Sequence, residues 1–135
     1  MTKPTSCLAL FVVAVSLHGP SSLEACWKGF TTNGSNPGLN TMLLCIAAND
    51  AIDLRVYFPN TAIREPPTTC MSRGRRSDSQ GNTFRVVTQA GQCENGNSMG
   101  RYDLQCTVAA EDAMSCTYLV PSGNLIRVML TKIFP

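Results

Sequence analysis

The sequence is short of several things, and each shortage removes a class of function. Histidine occurs once, as His18, inside a stretch that reads as a leader. Without it the rest of the chain has no imidazole for general-base catalysis, for a Ser–His or Cys–His pair, or for a metal site. Charge is also scarce: acidic and basic residues make up 15% of the chain, with a formal net charge of +2. A dedicated nucleic-acid binder needs a stronger basic excess. Cysteines never occur as C-x-x-C or in closer pairs, so no zinc-ligand spacing exists. No Asp/Asn run approximates a calcium loop, and no glycine-rich phosphate cradle follows a strand pattern. We therefore expect no cofactor, no metal and no nucleic-acid partner.

Long apolar runs are absent but for one. Cys7–Leu17 follows the positive Lys3, is broken by Gly19-Pro20, and leads to the small residues Ser21, Ser22 and Ala25. This is the three-part pattern of a secretory leader. It falls short of the about 20 apolar residues that span a bilayer. The pattern predicts a signal peptide at 1–25, cleaved after Ala25, and one domain at 26–135, secreted and without stable membrane insertion. The leader holds one charge of each sign, Lys3 and Glu24, so the net +2 belongs to the mature chain.

Of seven cysteines, Cys7 leaves with the leader. Cys26, Cys45, Cys70, Cys93, Cys106 and Cys116 remain. An even number in an exported chain of this size implies a disulfide framework, here of three bridges. Six cysteines allow 15 pairings, and spacing alone selects none.

What is present reads as strand. Ile52, Leu54, Val56 and Phe58 alternate with Asp53, Arg55 and Tyr57, the period of a strand with one buried face. Thr41–Ala48 is a second extended run, and a two-residue turn at Asn49-Asp50 would pair the two as a hairpin. That turn sets Cys45 opposite Leu54 and puts Leu43, Cys45 and Ala47 on the inner face, with Met42, Leu44 and Ile46 on the other. Thr83–Gln89, Tyr102–Val108, Cys116–Val120 and Leu125–Ile133 are further strand candidates, the last two flanking a Pro121–Asn124 turn. Ala109–Met114 is the one stretch compatible with a helical turn. Five to seven short strands between Gly/Pro/Asn turns predict an all-β fold, a small antiparallel sandwich or barrel stapled by three disulfides. Cys45 and Cys106 fall on apolar strand faces, so at least one bridge is expected to cross the core.

Motifs that carry chemistry are few. Gly96-Asn97-Ser98-Met99-Gly100 matches the G-x-S-x-G nucleophile elbow, but it sits in a polar stretch with no histidine to serve it. We read it as a loop. Glu65, Glu94, Asp103, Glu111 and Asp112 are the candidate acids for a two-carboxylate hydrolase, and no spacing selects a pair. Asn33-Gly34-Ser35 is an N-glycosylation sequon. Trp27, the sole tryptophan, sits beside Cys26 and is expected to cover a disulfide or a core edge.

The segment Asn60–Asn82 shows no apolar period and reads as a long loop anchored at Cys70. It holds Arg64, Arg73, Arg75 and Arg76 against Glu65 and Asp78, so its charge excess equals that of the whole chain. Three readings compete for it. Its arginines keep a wet loop soluble. Arg73-Gly74-Arg75-Arg76 is an R-x-R-R processing site. Or Arg73, Arg75 and Arg76 pair with carboxylate, sulfate or phosphate on a partner. The sequence thus points to a small secreted non-enzymatic binding protein of the effector, toxin or defence type, with a protein or anionic glycan as partner. The alternatives are an inhibitor of a secreted protease or glycosidase, with a loop pinned by Cys70, and the carboxylate hydrolase.

Overall fold

The structure is a computed structural model that describes residues 24–33, 36–59, 66–120 and 123–133; the side chains of residues 32, 33 and 36–39 are outside that description. Ten strands follow one another: β1 (Ala25–Asn33), β2 (Asn36–Ile46), β3 (Ala51–Phe58), β4 (Thr68–Gln80), β5 (Thr83–Thr88), β6 (Gly91–Cys93), β7 (Ser98–Met99), β8 (Asp103–Ala110), β9 (Ala113–Leu119) and β10 (Leu125–Ile133). Eight of them, all but β6 and β7, close into an antiparallel barrel. β1 pairs with β2 on one side and with β10 on the other, and β3 pairs with β4, so the sheet returns on itself. The fold is all-β, a barrel rather than a sandwich, and holds more strands than the five to seven read from the sequence.

Inward-facing side chains fill the barrel, as an eight-stranded ring is just wide enough to allow. Trp27, Met42, Leu44, Leu54, Val56, Val86, Leu104 and Val128 are fully buried there. Trp27 thus belongs to the core itself, with the Lys132 ammonium 5.5 Å from its ring centroid. Each large apolar side chain so buried stabilises the fold by roughly 1.5–3 kcal/mol. Closure also forces close backbone approach. A Cβ on Gly29 would collide with the Met129 carbonyl, and one on Gly74 with that of Val87; only glycine fits such crossings.

The β2–β3 hairpin departs from expectation by one residue. Asp50 adopts φ +68°, and its N–H donates to the Ala47 carbonyl at 3.1 Å. That makes a three-residue loop, a turn followed by a left-handed residue, in place of the two-residue turn. Leu44 therefore pairs with Leu54, and Cys45 with Asp53. A one-residue shift exchanges the faces of a strand. Met42, Leu44 and Ile46 point inward, and Leu43 and Cys45 outward.

Residues 60–82, expected as one long loop, do not form one. Their second half is β4, a strand of 13 residues. β4 is hydrogen-bonded to β3 along Thr68–Arg75 and, on its other side, to β6 and then β5. Its inward positions are Cys70, Ser72, Gly74 and Arg76, small or polar, so no apolar period announces it. Pairing on both sides makes it a strand against its local composition. Residues 60–65 lie outside the described residues. Ala109–Met114, compatible with a helical turn, instead holds the tight turn between β8 and β9.

All six cysteines among the described residues pair, as Cys26–Cys45, Cys70–Cys93 and Cys106–Cys116. Each bridge joins residues directly opposite on neighbouring strands. None crosses the barrel: Cys106–Cys116 lies inside the wall and Cys26–Cys45 is carried to the outer face by the register of β2.

The register generates a test. Leu44→Ala empties part of the core and is expected to cost about 2–5 kcal/mol in denaturant unfolding. Leu43→Ala, on the outer wall, should cost less than about 1 kcal/mol. The reverse order would return the two-residue turn.

Candidate functional site

The two ends of the barrel differ. At one end the connections are short: 47–50, 81–82 and 111–112. At the other lie the strand ends joined by the longer ones, 59–67, 89–102 and 120–124, and by 34–35. Segment 89–102 holds β6 and β7, and the Cys70–Cys93 bridge fastens it to β4. Further bonds pin the same excursion. Glu94 N–H donates to the Thr69 carbonyl at 3.0 Å, and Thr69 N–H donates to the Glu94 carboxylate at 3.3 Å. Tyr102 N–H donates to the Thr88 hydroxyl at 2.9 Å.

Between this excursion and the ends of β3 and β9 opens a cleft of about 380 Å3, lined among others by Phe58, Cys70, Cys93, Met99, Arg101, Tyr102, Tyr118 and Val120. That is the size range of small-molecule sites. The rings of Tyr102 and Tyr118 stand 5.2 Å apart, tilted by 58°. The Tyr118 and Thr31 hydroxyls are hydrogen-bonded at 3.1 Å inside the barrel. Burial raises the pKa of both phenols above the ordinary tyrosine value, and the Thr31 bond partly offsets this at Tyr118. Both phenols are thus neutral across the physiological range. Sequence reasoning missed this site because its residues come from four separate segments. The one signal was the alternation that put Tyr102 on the apolar face of its strand.

The second candidate is the outer face of β3 and β4. Alternation along β4 separates the arginines that the sequence grouped. Arg73 and Arg75 project outward and are exposed. Arg76 turns inward, and its guanidinium donates twice to Asp50 Oδ1, at 2.9 and 2.6 Å. Its side chain is only 12% exposed and lies 5.7 Å from the Phe84 ring centroid. Arg76 therefore plugs the short-turn end of the barrel. The R-x-R-R stretch sits within a strand bonded on both sides, not in an open loop.

Arg55 joins the outer pair from β3, where its register partner is Met71, while Asp53 stands opposite Arg73 and 3.7 Å from the Arg55 guanidinium. Beside them runs a groove of about 450 Å3 whose lining includes Asp53, Arg55, Ser72, Arg73, Gln89 and Gln92. The Ser72 hydroxyl is buried without a hydrogen-bond partner.

The remaining candidates are dispersed. Asp103 accepts two hydrogen bonds from Arg85, at 2.8 and 2.6 Å, which hold its carboxyl below the ordinary aspartate value. Glu94 lies at the cleft end, Glu111 and Asp112 in the opposite turn, and Glu65 outside the described residues. Gly96–Gly100 forms the turn into β7 and β7 itself, with no helix after it. Asn33 ends β1, but its side chain, with Gly34 and Ser35, lies outside the described residues.

No model of a known family matches the chain, and no curated protein does. Among solved structures it resembles a redesigned β-barrel, with a TM-score of 0.56 and 14% identity, over 85% of this chain and 95% of that one. That likeness is one of fold alone.

Separating the arginines has a measurable consequence. Arg76→Ser leaves Asp50 without its partner and is expected to cost about 1–2 kcal/mol, a charged hydrogen bond discounted for the exposure of Asp50. Arg73→Ser and Arg75→Ser should change stability by less than about 0.5 kcal/mol. Equal costs at the three positions would contradict the assigned orientations.

Proposed function

We propose that this chain is an exported, non-enzymatic binding protein that recognises anionic groups on a partner through Arg55, Arg73 and Arg75. The observation that carries the reading is the projection of Arg73 and Arg75 from one rigid, doubly paired strand. Arg55 stands alongside, and Asp53 is the single acid lining the adjoining groove among the described residues. A guanidinium pairs bidentately with carboxylate or sulfate, and a strand held on both sides loses little entropy when it binds. The amides of Gln89 and Gln92 add neutral hydrogen-bonding groups to that groove. Three disulfides suit an oxidising, extracellular-type environment. With residues 1–25 removed as a leader, no histidine remains to serve as a catalytic base. Such a protein belongs with those that act outside the producing cell, as effectors, toxins or defence proteins do.

Retention on immobilised heparin, a polysulfated glycan, tests the arginine wall directly. Arg73→Ser and Arg75→Ser are each expected to elute at clearly lower salt than the unmodified protein. Arg127→Ser, an exposed arginine on β10 at the opposite wall, should elute close to it. Equal losses from either wall would reduce the effect to net charge and sink the proposal.

A further inference from the structure

We propose that the cleft at the long-connection end is a binding site for a small organic acid: an apolar body of about a dozen non-hydrogen atoms bearing one carboxylate. The site is independent of the arginine wall and stands if that reading fails.

Size comes first. At about 30 Å3 for each water-sized group, a volume of about 380 Å3 holds roughly a dozen such groups. Phe58, Tyr102, Val120 and the Cys70–Cys93 bridge are apolar surfaces, and Met99 and Tyr118 are buried at 6% and 8% exposure. The Tyr118 hydroxyl is engaged by Thr31 at 3.1 Å, so the inner part offers surface to an apolar body and no free charge. A thioether and several aromatic rings adapt to aliphatic and aromatic bodies alike.

Charge decides the head group. Arg101 is the one ionic side chain lining the cleft among the described residues, and it is exposed. Its Nε donates to the Thr88 carbonyl at 3.3 Å, which orients the guanidinium and leaves the terminal nitrogens for a ligand. Among the described residues, the acids close to it are engaged elsewhere. Asp103, which feels the Arg101 charge, accepts two bonds from Arg85. Glu94 accepts from the Thr69 N–H. A carboxylate at the mouth therefore meets a positive fork with the apolar body buried below it, whereas a cationic head meets repulsion.

Isothermal titration calorimetry of the disulfide-intact protein tests this with three probes of one chain length: decanoate, decanol and decyltrimethylammonium. Decanoate is expected to bind one to one, about tenfold more tightly than decanol, and the cation not measurably. Arg101→Gln, at an exposed position, should bring decanoate down to the level of decanol and leave decanol unchanged. Met99→Trp should fill the cleft and remove both, with circular dichroism checking its fold. Equal binding of decanoate and decanol, a preference for the cation, unaltered selectivity in Arg101→Gln, or no binding of any probe would each overturn the proposal.

Discussion

Closure of the sheet is the constraint on which the rest depends. β1 and β10 come from opposite ends of the domain, yet they pair from Cys26 with Ile133 to Phe30 with Met129. An open sheet would leave both as edges, each a row of unpaired backbone groups. Joined, they give the barrel an inside and an outside. Every ring strand then alternates between a core position and an outer one. The glycines at 29 and 74 are consequences of closure, because they stand where one strand's backbone presses on the next. The disulfides are local by comparison. Each fastens two strands already paired, which fixes register and restricts the unfolded chain.

Closure also sets where function can lie. Side chains fill the interior, and Arg76 with Asp50 and Phe84 shuts the end with the short turns. Among the described residues, two places carry the recognition roles proposed above. One is the mouth at the long connections, where the Cys70–Cys93 bridge holds the β6–β7 excursion over the cleft. The other is the outer wall, where β3 and β4 display arginines that no core packing requires. A rigid wall and a lined mouth suit binding at low entropic cost.

Much of the architecture was legible in the sequence. The alternation at Ile52–Phe58 and at Tyr102–Val108 marked real strands, and the turn residues after Val120 separated β9 from β10. The even cysteine count foretold three bridges. What was illegible had physical causes. The backbone of Asp50 makes a three-residue loop, and Asn-Asp in a sequence does not distinguish that from a two-residue turn. One extra residue exchanged the faces of β2, sending Cys45 outward and Leu44 inward. β4 was hidden because its inward positions are Cys70, Ser72, Gly74 and Arg76, small or polar residues that leave no hydrophobic period. The grouping of Arg73, Arg75 and Arg76 was visible, but not the alternation that gives Arg76 a structural role. The cleft was invisible because Phe58, Met99, Tyr102 and Tyr118 meet only once the ring is closed.

The pairing of first and last strands is the claim to test most directly. In solution, two-dimensional NMR of the isotope-labelled, oxidised protein should show cross-strand proton contacts between Gly29 and Leu130 and between Trp27 and Lys132, with slow amide exchange along both strands. If β1–β2 and β9–β10 contacts were present while those between β1 and β10 were missing, the sheet would be open, and the closed ring with its filled interior would be contradicted.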